Sequence, residues 1–358
     1  VVSGGNKTKL VKGRCKMKRV KFMKKLLWVL CALLIAASFC MFGCEKEEEE
    51  VAAQEEGQET AASAEEPKET YKIGYSCISW TIPWMVYYQE LFKKEMEKYP
   101  NYEVLWHDAK FDYQLMADGL ENFIAEDVDM ILHFALDSLP MLETYKKVNA
   151  AGIPLMLTMD PPDFKAYEYM TLYSGLDTRD VGRKCALMLE EVLNGKGQIA
   201  LITAPAGSSS EQQYTEGFMF QLQRMDSKLE IVAKQPGDWD IETSQKVAND
   251  ILTKYPELDG IYVSDDWMGG GVVRALKERG YAPGEVKIAA AGGSKIGIKD
   301  FKDGWYIGIV DQGPNFCAPQ DILMMRLILE QGLDVPKVAI VPQTIITEEN
   351  VDQFPGSW

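Results

Sequence analysis

The chain has 358 residues, 54 acidic and 38 basic, for a formal net charge of −16, and 46% of its residues are hydrophobic. That is material for two globular domains, and it excludes a collagen-like or wholly disordered chain. So acidic a chain also argues against nucleic acid as a partner, because phosphate backbones recruit lysine and arginine.

The charge is unevenly placed. Residues 1–43 carry ten basic side chains and no acidic one, which leaves 28 basic against 54 acidic in the remainder, a balance of −26. Residues 16–25 read Lys-Met-Lys-Arg-Val-Lys-Phe-Met-Lys-Lys and precede the apolar run Leu26 to Phe42, Gly43-Cys44 and a burst of glutamates. A basic stretch, an apolar stretch and a small residue ahead of a cysteine form the layout of a secretory signal. The apolar run, about 17 residues, sits at the lower limit for spanning a bilayer. Basic residues before it and acidic ones after it favour export with cleavage over an anchor, and either outcome puts the rest of the chain outside the cytoplasm. Met17 or Met23 is the expected initiator, with residues 1–16 upstream of it. Met41-Phe42-Gly43-Cys44 resembles the lipobox of bacterial lipoproteins, which implies lipidation of Cys44 and anchorage to the cell membrane.

Glu45 to Glu69 holds eleven glutamates, two lysines, one proline and no aromatic residue. Such a segment cannot bury enough apolar surface to offset its ordering entropy, so residues 44–70 are expected to be an acidic, disordered linker. Of the seven cysteines, Cys77, Cys185 and Cys317 are scattered through the body without paired spacing. Neither a disulfide framework nor a zinc site is expected, and buried free thiols are.

From residue 71 apolar runs of strand length alternate with helical periods. Tyr71–Tyr75 reads as a strand, and Met85, Gln89, Phe92, Met96 and Tyr99 as the face of the following helix. Further strands are predicted at Tyr102–Trp106, Val128–His133, Ile153–Met159, Thr171–Tyr173, Gln198–Thr203, Leu229–Lys234, Gly260–Ser264, Val286–Ala291 and Trp305–Val310, with helical periods between most of them. Continuous apolar runs such as Ile153-Pro154-Leu155-Met156-Leu157 suit strands covered on both faces, as in parallel sheets. The predicted fold class is α/β, with two doubly wound parallel-sheet lobes, because the rhythm runs once from 71 to about 176 and again from about 177 to 311. Glu103–Asp112 and Glu230–Asp240, each a strand leading into a loop with an aromatic and an aspartate, suggest an internal repeat. Ligands of open α/β sheets sit beyond the carboxyl ends of the strands, which here would place a cleft between the lobes.

The usual catalytic signatures are missing. The glycine-bearing loops at 205–210 and 292–297 do not fit a phosphate-binding loop, and Gly269-Gly270-Gly271 follows an acidic pair that would repel a pyrophosphate. His107 and His133, the two histidines, lack partners at metal-ligand spacing, and no Gly-x-Ser-x-Gly elbow is present. A binding protein without cofactor or metal is expected rather than an enzyme.

The body resembles a type I periplasmic binding protein of the ribose- and galactose-binding family, the solute receptors of bacterial ABC importers. The likeness covers nearly all of 71–358. It is carried by Ile73-Gly74-Tyr75-Ser76 with Pro83-Trp84, Val128-Asp129-Met130-Ile131, Ala150-Ala151-Gly152-Ile153-Pro154-Leu155 ahead of Thr158-Met159-Asp160, and Ser174-Gly175-Leu176-Asp177. Gly207-Ser208-Ser209 with Gly217-Phe218, Gln235 to Asp240, Asp265-Asp266-Trp267-Met268, Gly292-Gly293, Asp303-Gly304 and Gln312 continue it in order. Sugar-responsive repressors share this body but carry a DNA-binding helical module where this chain has a signal and an acidic tether.

The resemblance implies a lobe of 71–176 with 312–342, a second of 177–311 with 343–358, and a hinge of three segments near Ser174–Asp177, Val310–Gln312 and Val341–Gln343. It implies ligand contacts from Asp160, Gln312, Trp84, Trp239 and Asp265, the last where the family usually has asparagine. Against the family pattern, expected arginines are Pro161 and Tyr214, expected asparagines near 82 and 134 are Ile82 and Phe134, and the aspartate expected before Gly293 is Gly292. Phe134 and Tyr214 join the candidate lining, with Trp80, Trp106, Trp267, Asp137 and Asp266 as secondary candidates, although Asp266, an acid at a helix start, is expected rather to cap the following helix. Aromatic faces beside carboxylates suit a sugar, an amino sugar or a quaternary amine. The implied protein is a monomer that gives its solute to an ABC permease. A sensory receptor for a histidine kinase or chemoreceptor, and a lipid-tethered hydrolase, are the rival readings.

Overall fold

The computed structural model describes residues 69–358; the expected signal, Cys44 and nearly all of the expected acidic linker lie outside the described residues. Two six-stranded sheets organise the chain. The first lobe begins with β1 (Tyr71–Cys77), α1 (Pro83–Met96), β2 (Tyr102–Asp108), α2 (Tyr113–Ala125), β3 (Met130–Phe134), α3 (Leu142–Ala150), β4 (Leu155–Met159) and β5 (Leu172–Gly175). The second contains α4 (Thr178–Val192), β6 (Lys196–Thr203), α5 (Ser209–Arg224), β7 (Lys228–Pro236), α6 (Ile241–Lys254), β8 (Gly260–Val263), α7 (Asp266–Glu278), β9 (Lys287–Gly292), α8 (Lys295–Lys302) and β10 (Tyr306–Asp311). The chain then returns to the first lobe with α9 (Pro314–Gln331), which packs on α1, and β11 (Val338–Ile340), before β12 (Ile345–Ile346) joins the second sheet.

The strand orders are β2-β1-β3-β4-β5-β11 and β7-β6-β8-β9-β10-β12. All pairings are parallel except β10 with β12. The α/β class and the two parallel-sheet lobes read from the sequence are therefore present. Strands β3 and β4 start two residues later than predicted; Pro154 has no N–H to give to a ladder, and its carbonyl accepts from Ile131 N at 2.9 Å. The short β11 and β12, three and two residues long, carry too little pattern to be seen in the sequence.

Local chemistry sets each strand-to-helix junction. Pro83 opens α1, where its missing N–H has no intrahelical partner to lose. Asp112, Asp177, Ser208, Asp240, Asp265 and Ser294 accept backbone N–H bonds at the starts of α2, α4, α5, α6, α7 and α8. In both lobes the turn after the second strand has two consecutive residues at positive φ and then the capping aspartate: Lys110 and Phe111 before Asp112, Asp238 and Trp239 before Asp240. That local match gives the internal repeat a structural form.

The chain passes between the sheets at 176–177, 312–313 and 341–344. Asp177 N donates to Gln343 Oε1 at 3.3 Å and Lys184 Nζ to Gln343 O at 2.7 Å. Asp311 N donates to Thr344 O at 2.8 Å and Val341 N to Gly175 O at 2.9 Å. Beneath these segments the buried Asp321 carboxylate accepts from Ser174 Oγ at 2.5 Å and Tyr88 Oη at 2.6 Å, joining α9, β5 and α1. Cys77, Cys185 and Cys317 are free, buried thiols.

Helices α4 and α5 meet backbone to backbone. A Cβ on Gly182 would overlap the Tyr214 carbonyl, and one on Gly217 would overlap the Arg179 carbonyl. This reciprocal contact seats the first turns of α5 at the cleft. Gly182→Ala and Gly217→Ala are each expected to destabilise the body by about 1–3 kcal/mol, the usual cost of overpacking. Urea unfolding would check this; wild-type midpoints in both variants would show that the helices can separate without penalty.

Candidate functional site

A cavity open to solvent lies between the carboxyl ends of the two sheets. Nearly every lining side chain follows a strand. Ile78, Ile82 and Trp84 come after β1, Phe134 and Leu136 from the end of β3, Met159 and Asp160 from β4, and Leu176 from β5. From the other lobe, Ser210 and Tyr214 come after β6, Trp239 after β7, Asp265 and Trp267 after β8, and Gln312 after β10. All seven principal candidates, Trp84, Phe134, Asp160, Tyr214, Trp239, Asp265 and Gln312, thus meet at one cavity, together with the secondary candidate Trp267.

The other secondary candidates are placed elsewhere. Trp80 packs its ring 5.2 Å from Tyr75 and 5.0 Å from Trp106, and its Nε1 donates to His107 O at 2.8 Å, so it belongs to the first lobe's aromatic core. Trp106 is in the same cluster, 5.6 Å from Phe92. Asp137 Oδ1 accepts from Leu139 N at 3.0 Å and Ser209 Oγ at 3.4 Å, which puts it at the seam between lobes. Asp266 is fully buried and accepts from the backbones of Gly293 and Ser294. Its neighbour Asp265 caps α7 instead, accepting from Trp267 N at 2.8 Å and Met268 N at 3.2 Å. Asp265 thus both caps α7 and lines the cavity, whereas Asp266 does neither.

Sequence reasoning missed Trp358. Ser357 N donates to Gly293 O and Lys295 N to Trp358 O, both at 2.9 Å, and Asn315 Nδ2 reaches Ser357 Oγ at 2.8 Å. These bonds fold the last residues back to the cleft, where the Trp358 ring lies edge-on 6.4 Å from Trp84. Trp84 also stacks on Tyr88 at 5.5 Å, and its Nε1 is buried without a hydrogen-bond partner among the described residues. No local pattern in the sequence signals the return of Trp358. Ile78, Leu136, Met159 and Ser210 line the cavity as well, and their residue types carry no signal that sets them apart from ordinary core or helix-start positions.

Several bonds cross directly between the lobes. Ser210 Oγ donates to Asp160 Oδ2, Gln213 Nε2 to Pro161 O at 2.5 Å, and Ser209 N to Leu136 O at 3.0 Å. On the second lobe's side of the cavity, Gln312 Nε2 donates to Tyr214 Oη at 2.5 Å. The cavity is therefore seen with the lobes in contact at one rim.

Burial pushes the Asp160 carboxyl up to about 6, although the Ser210 hydroxyl pulls it down. Asp265 is also raised, first by burial and then by the charge of Asp266. Burial raises Tyr214 well above the usual phenol value, and Asp160 and Asp265 both add to that shift. His133, buried and holding Ser76 O through Nδ1 at 3.2 Å, is lowered to about 3 by burial. His133 and Tyr145, whose Nε2 and Oη have no hydrogen-bond partner among the described residues, line a second, small pocket that shares Asp160. Among the described residues no cluster of three or more metal-ligating side chains exists.

Comparison with known proteins fits this geometry. A family model described as "Periplasmic binding protein domain" matches residues 73–332. The chain belongs to the periplasmic binding protein family. It is similar to the xylitol-binding protein of Mycolicibacterium smegmatis, 27% identical over 266 residues that make up 73% of this chain and 74% of that protein. It is also similar to the ribose import binding protein of Bacillus subtilis, at 24% identity over 79% of this chain and 89% of that protein. Among solved structures, an ABC transporter solute binding protein from Bacillus halodurans with bound myo-inositol superposes with a TM-score of 0.74 at 24% identity, covering 81% of this chain and 99% of that one. The Caulobacter myo-inositol binding protein gives 0.74 at 18% identity, covering 80% and 97%. The resemblance read from the sequence, to the ribose- and galactose-binding type I proteins, is thereby shown for the body of the chain.

The buried carboxyls make stability depend on pH. An unfolded aspartate titrates near 3.9, so between about pH 4 and 6 folded Asp160 holds a proton that the unfolded chain has lost. Its contribution is full below the unfolded value and is lost as pH rises through the folded one. Asp160→Asn is therefore expected to raise the melting temperature at pH 8, by roughly 2–4 °C, and to leave it nearly unchanged at pH 4. Equal shifts at both pH values would show that Asp160 is not a destabilising buried carboxylate.

Proposed function

We propose that this protein captures a small solute, a carbohydrate or carbohydrate derivative, between two closing lobes outside the cytoplasm and delivers it to an ABC importer. One observation carries the reading: a single cavity is lined from both lobes by side chains at the carboxyl ends of parallel strands. The similarity to a xylitol-binding protein and a ribose import binding protein supports a polyhydroxylated ligand class. In this proposal residues 71–176 with 312–342 and residues 177–311 with 343–358 move as two bodies about the three crossing segments. Ligand contacts available only when both lobes meet would drive closure. Export and a lipid on Cys44 would hold the body at the membrane beside the permease, with the acidic linker as spacer. The protein would act as a monomer, without cofactor and without chemistry on its ligand.

Solute capture requires that ligand compact the molecule. In a thermal-shift screen a bound solute must raise the melting temperature, and small-angle scattering with that solute should show a smaller radius of gyration. Trp239→Ala should weaken the same ligand at least about tenfold, or ~1.4 kcal/mol, while the unliganded circular dichroism spectrum stays that of wild type. Undiminished affinity in that variant would remove Trp239 from the ligand site.

A further inference from the structure

The lining of the cavity has one sign of charge. It contains the carboxylates Asp160 and Asp265 and no lysine, arginine or histidine. Neither carboxylate has an ion-pair partner among the described residues: Asp160 is bonded to the Ser210 hydroxyl, and Asp265 uses Oδ1 on the amides of α7. The Gln312 amide is committed to the Tyr214 hydroxyl, and the donors left to the lining are uncharged: that hydroxyl and indole N–H groups, of which Trp84 Nε1 has no partner among the described residues. The rest of the lining is largely aromatic and aliphatic, with Trp84, Trp239, Trp267 and Trp358 contributing indole rings.

A neutral polyol can use these donors and acceptors but brings no counter-charge, so Asp160 and Asp265, both raised by burial, would stay unpaired acid groups in the cavity. An ammonium group supplies that counter-charge, donates to the carboxyl groups and is attracted to ring faces. Phosphorylated and carboxylated solutes meet like charge and are excluded.

Resting on the solute-capture reading, we propose that the cavity selects a compact organic cation, an ammonium group on a small body, with Asp160 and Asp265 as its charge partners and the tryptophan rings as its cage. Amino sugars and small quaternary amines share this chemistry. The carboxylates are the specificity element, and the rings accept the remainder of the ligand.

Calorimetry on the purified full chain at pH 7 tests this with isosteric pairs: glucosamine against glucose, and choline against 3,3-dimethylbutan-1-ol. The expected result is that at least one amine binds tenfold or more tightly than its neutral counterpart. Asp160→Asn and Asp265→Asn should each weaken that amine at least about tenfold, with retained cooperative melting as the check on folding; asparagine still caps α7. A neutral member binding as tightly as its amine, or amine affinity untouched by both substitutions, overturns the inference while solute capture stands. Silence from all four ligands overturns the inference, while the capture reading is decided separately by the thermal-shift and scattering screen.

Discussion

Parallel strands can be joined only by crossovers, and this constraint governs the molecule. Each crossover returns over the sheet, so all the loops that follow the parallel strands of one lobe emerge along one edge. Two such edges face each other here, and the cavity lining is drawn from β1, β3, β4 and β5 on one side and β6, β7, β8 and β10 on the other. Residues more than two hundred positions apart, such as Trp84 and Gln312, become neighbours through strand order alone. The helix caps serve the same arrangement, because Asp240 and Asp265 stop a strand and start a helix within a few residues and leave Trp239 and Trp267 at the rim.

Stability and the site are in tension in this arrangement. The apolar strands and the close α4–α5 contact supply packing, while Asp160, Asp265 and Asp266 are carboxyl groups held above their ordinary range by burial. The carboxylates serve different ends. Asp266 is bound by the backbone of Gly293 and Ser294, and the space its side chain fills leaves no room for a Cβ at Gly292 or Gly297. The glycine found where the family pattern has an aspartate thus has a local cause. Asp321, raised to about 7 by burial and bonded to Ser174 and Tyr88, ties together elements beneath the crossing segments. Asp160 and Asp265 reach the cavity without a cation, which is where the charge of a guest would matter most.

Much of this was legible in the residues. Strand positions followed from apolar run length, and the cavity residues Trp84, Phe134, Asp160, Tyr214, Trp239, Asp265 and Gln312 came from the ordered motifs of the family resemblance. The misplacements have a common origin. Trp80 and Trp106 are chemically as fit for a cavity as Trp84, but they pack around Tyr75 in the first lobe. The adjacent Asp265 and Asp266 point to different tasks because consecutive residues at a helix start leave in different directions, which composition does not record. Trp358 reaches the cleft through bonds to Gly293 and Lys295 that no local spacing announces.

By itself the sequence determined the α/β class, the doubled strand–helix rhythm, the missing catalytic signatures and the absence of arginine beside Asp160, since these depend on local periodicity and residue type. Only the tertiary structure decided which aromatic rings face the cavity, which of two neighbouring aspartates caps a helix, and that the last tryptophan closes one wall. Those outcomes depend on the packing of side chains from distant segments, a property of the folded arrangement that a linear pattern does not contain.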